Sequence, residues 1–203
     1  MDAQIRAAME LVAALGEMEN AGRNIVTTLL DGAPFVALEH YPPDDVRDPE
    51  TNAQYYFHAH RGRLESGHIH CFLRDAENTL THVAAIGLDQ TGRPTRMFTT
   101  NLWATADVFT PAGTLIEQLP RMNWPAAPGP APVNRALSAL FVLYRREIAA
   151  LLRRRDARLA RYAATIAPAD PLQDERLEVL STARINLPVT LARLRARLAL
   201  TDE

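Results

Sequence analysis

Four of the chain's six histidines fall between positions 58 and 70, within the stretch YYFHAHRGRLESGHIHCFLR (55–74). They form two His-x-His pairs, His58 with His60 and His68 with His70. A neutral imidazole is a strong nitrogen donor for Fe, Cu, Zn or Ni, so the first question is whether the four rings can reach one ion. Side chains on a strand alternate between faces with a period of two. Odd positions here are Tyr55, Phe57, Ala59, Ile69, Cys71 and Leu73, which suit an apolar face. Even positions are Gln54, Tyr56, His58, His60, His68, His70, Phe72 and Arg74. A hairpin loop with an odd number of residues keeps both pairs on one face. An even loop would push one pair into the core, which is costly for polar rings. The pattern therefore predicts His60 opposite His68 and His58 opposite His70. Directly opposed side chains have Cβ atoms about 5 Å apart, close enough to share an ion through metal–nitrogen bonds of roughly 2 Å. Three ligands with open positions would be a catalytic pattern, and four closed ones a structural pattern. The competing reading is a solvated or hydrogen-bonded histidine patch.

Other residues could join this face. His82 begins the next apolar run and His40 ends the preceding one, and each is a candidate further ligand. Tyr56, Glu65 and Arg61 are the candidate catalytic groups: Tyr56 shares the histidine face, Glu65 is a turn residue or could orient an imidazole through its N–H, and Arg61 (with Arg63) could bind an acidic substrate group or be simply solvated. Tyr41, Asp44, Asp45 and Asp48 could form a rim, although Asp and Pro also supply ordinary turn chemistry. Thr99, Thr100, Asn101 and Trp103 make a polar and aromatic strand end near the site. Cys71 falls on the apolar side and reads as a core residue. Arg153, Arg154, Arg155 and Arg158 read as a solvated helix face. The chain has no nucleophile elbow, P-loop or dinucleotide glycine pattern, which leaves metal chemistry as the one chemistry visible.

The bulk numbers agree with a globular protein. The chain has 203 residues and a net charge of −2, which argues against general nucleic-acid binding. All 22 basic residues are arginine, a bias expected of GC-rich codons and so of a bacterium of high GC content. The acidic part of the chain, 1–132, holds every histidine; arginines dominate after it. One cysteine excludes an internal disulfide and a thiolate zinc site. No apolar run reaches membrane-spanning length and the first residues are not a secretory signal, so the expected location is the cytoplasm.

The elements that must position the histidines follow from periodicity. Ile5, Met9, Leu11, Val12, Leu15 and Met18 recur at helical spacing, with Asp2 as N-cap and a stop near Gly22. A short helix is expected over 23–31. Between about 34 and 103 the runs PFVALEH, QYYFHAH, HIHCFLR, THVAAIGL and TRMFTTNLW read as four to five strands of an antiparallel meander, with a Pro- and Asp-rich loop over 41–52. Helices are expected from Thr110-Pro111 to about Leu119, from Val133 to Ala164, from Asp170-Pro171 to Thr182, and from Pro188 onward, with a proline-rich connector over 123–132. The sum is a single α+β domain over 1–203, a histidine-bearing sheet (33–105) covered by an N-terminal helix and by a helical tail (133–203).

Glu65 follows His60 with a spacing similar to the first cupin motif, His-x-His-x4-Glu. The cupin glycine after that Glu is missing, and no histidine follows His82 to build a second motif. A closer likeness covers 39–103. There EHYPPDDVRDPETNAQYYFHAHR, then E-x-GHIHCFLR, then HVAAIGLDQTGRPTRMFTTNLW resembles a group of bacterial proteins of unknown function. Their core reads HYP-x-x-D-V-x-D, QYYYHAHR, EHGHFH-x-F and G-x-P-x-x-L-F-T-T-N-x-W. Ser66 stands where that group often has a histidine. The resemblance implies that the block belongs together, and it carries no activity.

The functional expectation is a metal-dependent enzyme using Fe, Cu or Zn on a small molecule, with oxidoreductase or oxygenase chemistry ahead of hydrolysis. The alternatives are a non-catalytic metal carrier or sensor, and an interaction module whose histidines are a surface patch. Expected partners are a small-molecule substrate and a second copy through the helical tail, without nucleic acid or membrane.

Overall fold

The computed structural model describes residues 2–60 and 66–199. Six strands form one antiparallel sheet in which spatial order equals chain order: β1 (Tyr41–Arg47), β2 (Ala53–His58), β3 (Gly67–Arg74), β4 (Leu80–Leu88), β5 (Pro94–Thr100) and β6 (Val179–Arg184). The helices are α1 (Ala3–Asn20), α2 (Ile25–Leu30), α3 (Leu102–Thr105), α4 (Ala112–Gln118), α5 (Ala131–Leu143), α6 (Arg145–Ile166) and α7 (Leu187–Ala199). The α+β class, the meander, and the covering by N- and C-terminal helices are as the periodicity implied, with six strands rather than four or five.

The odd positions of β2 and β3 face the core. Tyr55, Phe57, Ile69, Cys71 and Leu73 pack there beside Ile86 of β4 and Met97 of β5, against Leu11 and Met18 of α1 and Leu137, Leu140 and Leu151 of α5 and α6. Tyr55 ties the sheet to α5 by donating its hydroxyl to Asn134 Oδ1 at 2.7 Å. Asp2 caps α1 as expected, accepting from Gln4 N. The packed stripe of α1 differs from the expected one. Ala7, Ala8 and Ala14 are buried while Met9 and Val12 are exposed, because small alanines let α1 lie close against α5. Alternation of large apolar residues gives no weight to such a stripe.

Five other expectations need correction. PFVALEH is not a strand: Tyr41 Oη accepts from Val36 N and donates to Pro34 O, both at 2.8 Å, which curls the segment. The neighbouring YPPDDVR, expected as loop, is β1. An edge strand tolerates proline because half of its donors need no partner, and the pairing of β1 with β2 is irregular between Tyr41 and Val46. The long helix expected over 133–164 is two helices, interrupted at Tyr144, whose hydroxyl lies 3.0 Å from Thr190 Oγ1 of α7. The helix expected from Asp170 to Thr182 is a single 3-10 turn, Pro171–Gln173, followed by β6. The run LEVLST satisfies β5, whose open edge needs a partner. Finally, α4 begins at Ala112, one residue past Pro111, and Asp156 of α6 caps it by accepting from Ala112 N at 2.7 Å.

Candidate metal centre

Parity puts the histidines on the correct face but not in the correct register. β2 ends at His58, and the observed pairs are His58 with His68 and Tyr56 with His70. The predicted partnership of His60 with His68 and His58 with His70 is therefore wrong by a slide of two residues. Such a slide leaves every side chain on its own face, so the hydrophobic pattern cannot detect it. Gly67 opens β3 with φ +146°, and a Cβ there would stand 2.5 Å from the Phe57 ring and 2.7 Å from the His58 carbonyl oxygen. This close backbone approach holds the pairing at His58.

The even face brings three imidazoles together. His58 Nε2 lies 2.9 Å from His68 Nε2 and 3.1 Å from His70 Nε2. The three residues are 8 %, 5 % and 2 % exposed. One donor nitrogen from each converges on a common point, and together they can hold a metal ion. Among the described residues no carboxylate joins this group. Aromatic rings surround it: Phe98 meets His68 edge to face at 5.2 Å between centroids, and Tyr56 lies 5.4 Å from His58 and 5.3 Å from His70.

His82 stands behind the trio. Its Nε2 is 3.0 Å from His70 Nδ1, and its Nδ1 is 3.4 Å from Thr100 Oγ1. Its strand reaches this position through a bulge. Phe72 pairs with His82 but Cys71 pairs with Ala84, so Val83 is an extra residue that reverses parity along β4. His82 and Ala85 thereby share the histidine face. The backbone N–H of His82 donates to Asp107 Oδ2 at 2.6 Å. One proton assignment satisfies this chain of contacts. If His70 offers its Nε2 lone pair to an ion, its proton sits on Nδ1 and is donated to His82 Nε2. His82 then carries its own proton on Nδ1, facing Thr100. Ligating histidines are usually oriented through their other ring nitrogen in this manner.

The electrostatics favour neutral donors. Burial, followed by the neighbouring imidazoles His82, His68, His58 and His60, holds His70 well below the ordinary histidine value. Burial, then Arg155 and His68, brings His82 down to about 3. Burial pushes the Tyr56 phenol up, with Asp45 and Asp107 adding to it, so the group is a hydroxyl and not a phenolate. Burial also raises the Cys71 thiol, which fits its place in the core.

The remaining candidates sort by position. His60 lies just past β2, exposed, with its ring 4.7 Å from that of His58 and 5.2 Å from that of His68. It borders the trio without entering it. His40 stacks on Tyr56 at 3.6 Å and is turned toward Asp45, with Nδ1 2.9 Å from Oδ1. Its ring is 6.0 Å from that of His58. Glu65 and Arg61, with Arg63, lie outside the described residues. Asp48 is spent on a turn, where its carboxylate accepts from Glu50 N, Thr51 N and Ala126 N. Arg155 contradicts the solvated-face reading: it is 5 % exposed, stacks over Phe109 at 4.7 Å and donates to Thr110 O. Phe98, Asp107 and Arg96 lie near this face without having been singled out by residue type and spacing. Phe98 and Arg96 carry a usable signal as even positions of the TRMFTT run, and Asp107 carries none.

A model of the family described as a domain of unknown function, DUF6969, matches residues 5–185, and the chain belongs to that family. The match runs from α1 through β6, so it takes in the whole sheet as well as the histidine block. No curated protein and no solved structure matches the chain.

Proposed function

We propose that this member of the DUF6969 family is a metal-dependent enzyme acting on a small molecule, with His58, His68 and His70 as its ligands. The observation that carries the reading is the approach of His58 Nε2 to two other imidazole nitrogens at 2.9 and 3.1 Å. A single ring nitrogen has either one proton or one lone pair, so it makes one good hydrogen bond and not two. A cation accepts all three lone pairs at once. Two nitrogens each about 2.1 Å from an ion stand about 3.0 Å apart at a right angle and about 3.4 Å apart at a tetrahedral angle. The spacings of 2.9 and 3.1 Å are of the size that donors sharing one ion take, and imidazole nitrogen would suit Fe, Cu or Zn.

Three ligands from among the described residues would leave coordination positions for substrate and water, the pattern of a catalytic site. A redox metal held this way would supply oxidoreductase or oxygenase chemistry. The chain's own groups do the positioning. His82 and Thr100 fix the His70 tautomer, Phe98 and Phe72 exclude water from behind the rings, and the Tyr56 hydroxyl stays protonated as a donor.

The test is elemental analysis of protein purified without a histidine tag, beside a His58→Ala, His68→Ala variant. The expected result is about one transition-metal ion per chain in the wild type, or after reconstitution, and background in the variant. Background levels in both would remove the reading and leave the trio as a hydrogen-bonded cluster.

A further inference from the structure

β5 ends at Thr100, and its pairing with β4 reaches no further along β4 than Ala85. The opening residues of β4 therefore lie beyond the reach of β5, and buried backbone groups there need other partners. The segment 107–110, between α3 and α4, supplies them. Val108 N donates to Leu80 O at 2.9 Å, Asp107 Oδ2 accepts from His82 N at 2.6 Å, and the Thr81 and Thr110 hydroxyls meet at 3.0 Å. These contacts make the segment a strap along the strand edge, with a carboxylate in the place of a carbonyl. A hydrogen bond to a carboxylate is shorter and about twice as strong as one to a neutral acceptor.

The strap is tied to α6. Arg155 is buried; it donates through Nη2 to Thr110 O at 2.6 Å, stacks over Phe109, and donates through Nε to Asp156 Oδ1 at 2.8 Å. Asp107 is braced in turn by the Thr105 hydroxyl, which donates to Oδ1 at 2.5 Å. His82, Thr100, Asp107 and Arg155 line one small cavity, where strand, strap and helix meet.

What this tie controls is the bulge. Val83 is the extra residue of β4, with Phe72 opposite His82 and Cys71 opposite Ala84. Were His82 the extra residue instead, Val83 would stand opposite Phe72, and the ladder with β3 would continue unchanged on either side. The grip of Asp107 on the His82 N–H selects the observed arrangement. Bulges beside active sites re-aim a side chain in this way.

We infer that Asp107 is a positioning residue for the histidine trio. Its carboxylate fixes the bulge at Val83, and the bulge sets His82 Nε2 against His70 Nδ1 at 3.0 Å. His70 is thereby held with Nε2 toward the ion. Asp107 acts through His82 and takes no part in coordination. The inference rests on the trio holding a metal.

The experiment uses the full-length protein reconstituted with Co(II), whose visible absorption reports the geometry at the ion. Affinity is read by competition with a chromophoric chelator. Asp107→Ala should shift the absorption bands and weaken Co(II) binding by about tenfold or more, the loss expected when an outer partner of a ligand is removed. Asp107→Asn keeps an oxygen that can accept from the His82 N–H and should stay close to the wild type. In a His82→Phe protein, Asp107→Ala should cause no further loss, because both changes break one path. Tyr55→Phe removes a buried hydrogen bond to Asn134 on the opposite face of the sheet and is the control. Its denaturation midpoint should fall while affinity and spectrum stay at wild-type values. Should Asp107→Ala not fold, Asp107→Ser, with a shorter side chain, takes its place with the same expectation. Four results would overturn the inference while leaving the metal reading intact: wild-type affinity and spectrum in the shortened variant, an equal loss in Asp107→Asn, a loss in Tyr55→Phe, or a loss fully additive with that of His82→Phe. Failure of the wild type to take up Co(II) would overturn the metal reading, and the inference with it.

Discussion

Replacing Gly67 by alanine tests the register on which the site depends. The new Cβ would lie 2.5 and 2.6 Å from Phe57 Cε2 and Cζ and 2.7 Å from the His58 carbonyl oxygen. None of these partners can yield cheaply: Phe57 is fully buried, and His58 is held in the ladder opposite His68. The residue would also carry φ +146°, a region that side-chain-bearing residues rarely adopt. Backbone strain of this kind costs about 1–3 kcal/mol, and overpacking a filled core adds about 1–3 kcal/mol. The expected loss is thus about 2–6 kcal/mol, a large share of the 5–15 kcal/mol typical of a domain. In urea denaturation, with a slope of roughly 2 kcal/mol per molar, the midpoint should fall by at least about 1 M. Metal stoichiometry should fall with it, since His58 and His68 flank the strained pair. Gly16→Ala is the control. No atom lies within 4 Å of a Cβ there, and replacing glycine inside a helix stabilises by roughly 0.5–1 kcal/mol. A Gly67→Ala protein with an unchanged midpoint and full metal content would refute the claim that this glycine sets the pairing.

Three further outcomes are expected. His82→Phe should keep the fold but weaken metal affinity by about 10–100-fold, because His70 loses the partner that fixes its tautomer; Thr100→Val should act in the same direction but less, and competition with a chromophoric chelator measures both. In metal-free protein, the depressed values of His70 and His82 mean that the unfolded chain takes up protons which the folded chain refuses. Stability from this source is fully present above the ordinary histidine value near 6.5 and is lost as pH falls toward about 3, so denaturation midpoints should drop through that window and drop less in His82→Phe. Asp48 behaves as a depressed carboxylate: burial acts upward, but N–H donors from Thr51, Ala126 and Glu50 and the Thr51 hydroxyl outweigh it. Its contribution should be intact above about pH 4 and vanish as pH falls below that, and Asp48→Ala, which removes the acceptor of those part-buried donors, should cost about 1–3 kcal/mol at neutral pH by chemical denaturation.

The parts of the fold that read directly from sequence are those where period and burial coincide. Residues 53–58 and 67–74 alternate cleanly because one face packs on helices and the other on histidines, so their strand nature and facing are both legible. β1 is not, since Pro42 and Pro43 argue against any central strand and only its edge position makes YPPDDVR tolerable. β6 is hidden because 179–184 is short and follows a stretch with helical signals. What makes it a strand is the open edge of β5, a tertiary demand without local signature. Tyr144 interrupts a sequence that is helical on both sides, and its hydroxyl meets Thr190, forty-six residues on, a contact that local periodicity does not register.

The site divides along the same line. Facing is a parity property, and parity is visible in residue types, so the amino-acid pattern alone places His58, His68 and His70 on one polar face. Which of them converge is a register property. A slide of two residues leaves parity untouched but decides whether His60 or Tyr56 stands across from β3, and so whether a ring or a phenol completes the pocket. Here the register is held by a steric fact at Gly67, where a missing side chain lets two backbones meet. His82 depends on a second such fact, the extra residue Val83, which turns an even position and the odd position three later onto the same face. Both are single-residue events, invisible to periodicity, and each sets a ring nitrogen of the proposed metal site. Register and bulge, rather than the count of histidines, therefore determine the chemistry this sheet can perform.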